Sequence, residues 1–400
     1  MKFSKLSQLL LVSALGLLVA TALTACQLVT IDYVFLANTS STGGGQIQVF
    51  NVDSQSGALR NGATAADSGG NTPVALATSS DYANLYAANS DNNTVVHFAI
   101  ALDGTLSQKD KITLAAAPVS IAVNQADTYL YVVSGTTTAT LSEYALSSGA
   151  IGALVTQETL TIPGNTTDTL IPTGVTALAN NGAVYATVYD QSAYNPGGVT
   201  TSTANPGWIF GFGIGSGGAL TPAPASPYRA GVKPSGLVAD PTNRFIYVTD
   251  FASNQLIAYG ISSGDLLNFL ISGPYRTGSE PTAVTIDPRS KFLYVSNGLD
   301  STVTAYAIDL ATGIPSQTIG TTGNSNNATD TQPQAIVVDP ALGRFVFTAN
   351  YLGNSISGFF LNPNTGQISP SEQTPFPTGQ HPTAIACVPH GNHALQEVTP

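Results

Sequence analysis

Charge is scarce in this chain. Only 9% of its 400 residues are Asp, Glu, Lys or Arg, and 12 basic residues stand against 23 acidic ones, a formal net charge of −11. An acidic chain without a basic run repels phosphate backbones, which excludes nucleic acid as a partner. Cysteine is rarer still, with only Cys26 and Cys387. HExxH and P-loop patterns are missing, so no zinc-protease helix or P-loop nucleotide cradle is expected. We expect no cofactor and no metal. No window sustains a period near 3.6, so helices should be scarce. Past the N-terminus, no apolar run is long enough to span a bilayer.

What is present is a composition able to form a core, 43% hydrophobic with 39 Gly and 24 Pro; disorder by composition is excluded. The polar surface must come from Ser, Thr, Asn and Gln, which suits an extracytoplasmic protein. The N-terminus, "MKFSKLSQLLLVSALGLLVATALTAC", has Lys2 and Lys5, an apolar stretch from Leu9, then small residues up to Cys26. This is the layout of an export signal. Its end, "LTAC", resembles the lipobox of bacterial lipoproteins, which implies cleavage before Cys26 and acylation of the thiol; the alternative is a plain signal peptide or a transmembrane anchor. Loss of Lys2 and Lys5 with the leader leaves a mature charge of −13. Gln27 replaces the Asp that usually retains such proteins in the inner membrane, which favours the outer membrane. With Cys26 acylated, an intramolecular disulfide is impossible, and Cys387, in an apolar run, is expected to be an inert buried thiol.

A phrase recurs along the chain. "PTAVTIDPRSKFLYVSN" (281–297) is echoed by "PSGLVADPTNRFIYVTD" and by "PQAIVVDPALGRFVFTAN". A Pro-led apolar run begins at Pro73, Pro118, Pro172, Pro234, Pro281, Pro333 and Pro382, spaced by 45, 54, 62, 47, 52 and 49 residues. A second run, such as "VFLAN", "LYAAN" or "IYVTD", and a third with an aromatic each occur seven times. A turn follows each third run, with glycines at 57, 104, 149, 218, 264, 313 and 366. Short runs rich in Val, Ile, Tyr and Phe between Gly, Pro, Asn and Asp are strand signals. Four strands per such period make a propeller blade.

The spacing therefore predicts an all-β, seven-bladed β-propeller with four-stranded antiparallel blades. The Pro-led run is missing before Val34 but present after the seventh set, as "HPTAIACV". The C-terminal strand should thus complete the first blade and leave no open edge. The expected organisation is a signal peptide over 1–25, a lipidated tether over 26–31, one propeller over 32–392 and a tail over 393–400.

With these residues in view, "FLYVSN" and "FIYVTD" resemble the YVTN-type repeats of bacterial surface propellers. The stretch from about residue 32 to about 390 is similar to the seven-bladed lactonase family, typified by 6-phosphogluconolactonase. The resemblance implies ligand binding at the channel mouth, on the face where the first strands begin. It also implies a His and an Arg just after the first-strand Pro of the middle blades, and a Glu at the end of a second strand. The matching positions here are Ser235, Gly236, Thr282, Ala283 and Asn297, with Asp250 alone keeping a familiar residue.

Two features gather on that face. One is a blade 4 insertion, "YDQSAYNPGGVTTSTANPG" (189–207), holding Tyr189, Asp190 and Tyr194, with Trp208 just after it; long loops of this kind serve as lids or as tolerated surface. The other is a set of lead-in loops, "SPYRAGVKP", "GPYRTGSEP" and "TPFPTGQHP". Just before each first-strand Pro stand Thr72, Ala117, Ile171, Lys233, Glu280, Gln332 and His381, a position expected to be extended. The polar members fall on consecutive blades. We expect Arg229, Lys233, Arg276, Gln332, Tyr228 and Tyr275 as ligand contacts, with Glu280 or His381 as a general base if the protein is an enzyme. The alternative is that these charges pair on a solvated rim, worth little.

Elsewhere, His97 reads as an incidental strand residue, and His390 with His393 makes a poor metal site. The Asp-Pro turns at Asp240, Asp287 and Asp339 should bond their own backbone. The main functional expectation is a monomeric, lipid-anchored, non-catalytic propeller of the cell envelope. Its mouth would present a face to a protein, a glycan or a small anionic ligand. The alternative is a metal-free lactone hydrolase.

Overall fold

The computed structural model describes residues 29–40, 43–164, 168–195, 198–199, 206–318 and 325–390. The leader with Cys26, part of the blade 4 insertion, and the tail with His393 lie outside them. Among the described residues the only helical element is a single 3-10 turn, Ser216–Gly218, and no helix is long and apolar enough to cross a membrane.

Seven antiparallel sheets form the ring. In blade 5 the strands run Pro234–Ala239, Phe245–Asp250, Gln255–Ser262 and Leu266–Phe269 from the channel outward. The second strands are buried along almost their whole length; Phe245–Asp250, Phe292–Asn297 and Phe345–Asn350 expose no residue. A sheet covered on both faces by its neighbours needs continuous apolar runs rather than alternation. That is why these segments read so clearly in the sequence. Seven apolar clusters are found among the described residues, each between adjacent blades.

The turns explain the repeat's punctuation. Asp240 Oδ1 accepts the Arg244 and Phe245 amides at 2.7 Å each, and Asp287 repeats the pattern with Lys291 and Phe292. Tyr86, Tyr185, Tyr247 and Tyr294 each donate a hydroxyl hydrogen bond to a turn carbonyl of the next blade, at 2.7–3.0 Å. Gly313 and Gly366 have φ of +74° and +72°. A Cβ at either would lie 2.3 or 2.2 Å from the ring of Phe245 or Phe292 in the preceding blade. Only glycine fits both the left-handed backbone and the ring contact.

Closure is as expected. Pro382–Pro389 pairs antiparallel with Thr30–Asn38, from Asp32 opposite Pro389 to Asn38 opposite Pro382. Cys387, in that closing strand, is buried and free, and burial pushes its thiol well up. His97 is more than incidental: it is buried between Asp110 and Asn84 at 2.8 Å each and stacked on Tyr86.

Candidate active site at the ring mouth

First strands begin, and second strands end, on one face. Pro234 lies opposite Asp250, Pro281 opposite Asn297, and Pro333 opposite Asn350. The residue before each of these prolines therefore stands at the mouth. One expectation needs correction here. Glu280, Gln332 and His381 are not extended but left-handed, with φ of +52°, +58° and +47°. Their amides are held by the preceding blade: by Asn254 Oδ1 at 2.8 Å, Ser301 Oγ at 3.2 Å and Asn354 Oδ1 at 2.8 Å. This tertiary contact overrides the local preference of a residue before proline.

Lys233 reaches the mouth by a different route. Asp250, buried at the end of its strand, accepts the Val232 and Lys233 amides at 2.9 Å each and Gln255 Nε2 at 3.0 Å. Gly231 (φ +77°) passes so close that a Cβ would lie 2.2 Å from Asp250 Oδ2. The loop is thereby fixed, and the half-buried Lys233 ammonium sits among three rings. Its Nζ lies 4.5 Å from the Phe251 centroid, 5.3 Å from Tyr194 and 5.5 Å from Tyr189. Tyr189 and Tyr194 meet edge to face. Rings facing an ammonium stabilise it without occupying its donors. Among the described residues Lys233 Nζ has no hydrogen bond or ion pair. Burial lowers its pKa, while the nearby Glu280 opposes that shift. Glu280, together with Asp250, also raises the Tyr194 hydroxyl, after burial as the main cause. Lys233, Tyr194 and Glu280 thus share one electrostatic neighbourhood.

The arc continues into blades 7, 1 and 2. His381 stacks on Tyr351, with centroids 4.7 Å apart. Tyr351 belongs to the wall of a cavity of about 320 Å³, completed by Val74, Gln332, Gln334 and Thr383.

The remaining candidates sit farther out. Tyr228–Arg229 pairs with the third strand of blade 4 and Tyr275–Arg276 with that of blade 5, so both form the outer edge of the mouth face. The Arg229 guanidinium lies 3.8 Å over Trp208. The Arg229 carbonyl accepts the Tyr259 hydroxyl, and the Arg276 carbonyl accepts that of Tyr306 at 2.5 Å. Phe376–Pro377 occupies the same place in blade 7. The repeated Pro-Tyr-Arg is thus an edge-pairing device at its backbone, and none of its side chains lines the cavity.

The positions implied by family resemblance hold the ring together. Ser235 Oγ donates to the Pro281 carbonyl at 2.5 Å, Thr282 Oγ1 to that of Pro333 at 2.7 Å, and Thr383 Oγ1 to that of Pro73 at 2.6 Å. Asn297 binds the Gly278 amide and the Thr302 and Thr304 hydroxyls. Sequence reasoning passed over Phe251, Tyr351 and Gln334. The signal was available: Phe251 and Tyr351 are aromatics directly after the polar end of a second strand, and Gln334 directly follows a first-strand Pro.

An ammonium with open donors, within electrostatic range of a carboxylate, is equipped to polarise a carbonyl while the carboxylate activates a water. Among the described residues, no group of three or more His, Cys, Asp or Glu is placed to hold a metal.

Comparisons with known proteins agree with this architecture. The periplasmic gluconolactonase of Pseudomonas aeruginosa superposes with a TM-score of 0.74 at 18% identity, covering 90% of this chain and 100% of that one. A Bacteroides uniformis protein assigned as a 6-phosphogluconolactonase gives 0.72 at 17%, covering 90% and 100%. A Bacteroides fragilis protein of the same assignment gives 0.71 at 17%, covering 90% and 98%. At these identities the likeness is one of fold. No curated protein matches the chain in sequence. The family profile of the lactonase seven-bladed β-propeller matches residues 33–169 and 224–395 and leaves blade 4 unmatched. The chain belongs to the lactonase family of seven-bladed β-propellers.

Proposed function

We propose that the protein is a lactone hydrolase working at the ring mouth, and that the binding-module expectation gives way to this alternative. Family membership supports the reaction class. The single observation that carries the reading on this chain is the Lys233 ammonium, held at the mouth within electrostatic range of Glu280 and without a hydrogen bond to any described residue.

In this reading the lactone carbonyl oxygen accepts a hydrogen bond from Lys233 Nζ. The Glu280 carboxylate removes a proton from a water as its oxygen bonds to the carbonyl carbon. The tetrahedral oxyanion is stabilised by the ammonium. Collapse breaks the ring C–O bond, and the departing alkoxide takes the proton back from Glu280, giving a hydroxy acid. His381, stacked on Tyr351, borders the part of the mouth that receives the rest of the ring.

We place the protein outside the cytoplasm, anchored through acylated Cys26; a lipid label incorporated by the wild type and absent from Cys26→Ser tests this. The activity is tested with the soluble fragment from residue 27 against a panel of lactones at neutral pH. Hydrolysis by the wild type, lost in Lys233→Met and Glu280→Gln, is the expected result. No turnover of any lactone, or full turnover by both variants, would overturn the reading.

A further inference from the structure

The cavity between blades 7, 1 and 2 differs in chemistry from the Lys233 side of the mouth. At about 320 Å³ it lies at the lower end of small-molecule pockets, roughly 300–1,000 Å³. Its wall, Val74, Gln332, Gln334, Tyr351 and Thr383, carries no charged side chain. Gln332 is fixed through its backbone, its amide donating to Ser301 Oγ and its carbonyl accepting the Tyr351 amide at 2.8 Å. Thr383 is fixed through its hydroxyl. The carboxamides of Gln332 and Gln334 and the Tyr351 hydroxyl have no hydrogen-bond partner among the described residues. Two carboxamides and a phenol offer donors and acceptors together, and the Tyr351 ring is braced from one side by His381. That is the equipment for hydroxyl groups on a compact ring. It does not suit a phosphate, which is held by clustered Arg, Lys or backbone amides. Arg229 and Arg276 are kept on the outer edge, and Lys233 is the only Lys or Arg placed before a first-strand Pro.

We propose that this cavity is a subsite for the hydroxylated body of an uncharged, sugar-like lactone, and that the protein selects such a lactone over its phosphorylated counterpart. The selection rests on the hydrolase reading; the subsite itself does not require it. Gln332 and Gln334 act as specificity residues, setting affinity for the hydroxylated ring while Lys233 and Glu280 face the carbonyl.

Two measurements on the fragment from residue 27 test this. Saturation-transfer NMR with sorbitol, a polyol with no bond to hydrolyse, should show binding to the wild type and to Lys233→Met. Binding should weaken about tenfold in Gln332→Leu and again in Gln334→Leu, with melting temperatures confirming that both variants fold. Hydrolysis kinetics should give a higher kcat/KM for gluconolactone than for its 6-phosphate, with the glutamine variants raising KM more than they lower kcat. Sorbitol binding lost in the glutamine variants without turnover of any lactone would leave the subsite standing and remove the hydrolase reading. Turnover with KM unchanged in both glutamine variants, or a preference for the phosphorylated lactone, would remove the subsite and leave the hydrolase. Absence of sorbitol transfer to the wild type would also overturn the subsite.

Discussion

The two faces of the ring differ in how fully their polar residues are satisfied. On the face away from the mouth, side chains are turned onto the protein itself. Asp240 and Asp287 cap their own turns, Tyr247 and Tyr294 clasp the next blade, and Arg244, Arg289 and Arg344 donate to carbonyls of the following blade. At the mouth, Lys233, Gln332 and Gln334 have side chains that no described protein group satisfies. The repeat builds a face that closes on itself, and the departures from the repeat leave capacity for something else to bind. A buried polar group is costly unless partnered, so unpartnered groups are tolerated best where solvent or a ligand reaches them.

This contrast can be broken most severely at Lys233. Lys233→Met should lower kcat/KM for a lactone by roughly 10²–10³-fold, the cost of losing one oxyanion donor. Its melting temperature should hold or rise, because the charge removed is desolvated; initial rates and a thermal melt check both. Next is Glu143, one of the exceptions on the closed side. It is buried near the Gly218 turn, and burial pushes it from the ordinary 4.5 up to about 7. The Tyr131 hydroxyl eases this without a well-formed hydrogen bond. The folded state thus favours the protonated form, so stability is greatest below about 4.5 and falls as pH rises to about 7, by up to roughly 3 kcal/mol. Urea unfolding at several pH values should show this slope, reduced in Glu143→Gln, with lactone turnover per folded molecule unchanged.

A smaller effect is expected at Asp240→Ala, which strips the cap from two turn amides and should cost about 2 kcal/mol in urea unfolding without changing kcat/KM. Smallest is Tyr247→Phe, which removes one inter-blade hydroxyl bond and should cost about 1 kcal/mol. Activity lost in either of these without matching loss of folded protein would erase the division between the faces.

The same division explains what could be read from sequence. Blades were legible because a doubly covered strand must be apolar throughout, as in "FIYVTD", and because the turns at Gly313 and Gly366 admit no other residue. Closure was legible because one Pro-led strand was missing at the start and spare at the end. The left-handed backbone of Glu280, Gln332 and His381 was not legible, since a side chain from the preceding blade imposes it. Nor was the ring of aromatics around Lys233, assembled from Tyr189 and Tyr194 of blade 4 and Phe251 of blade 5. Repetition of Pro-Tyr-Arg drew attention to Arg229 and Arg276, and what recurs from blade to blade is the pairing of their backbone with a third strand. Lys233 and Gln334, which the neighbouring blades do not copy, report the mouth.

The first and last described residues, Val29 and His390, both lie in blade 1 on the side away from the mouth. Cys26 precedes Val29 by three residues, a leash of about 10 Å at full stretch. The strand Thr30–Asn38 puts roughly 27 Å between Val29 and the rim. An acyl anchor on Cys26 would therefore lay the closed side against the bilayer and hold the opening outward, where small solutes arrive unobstructed.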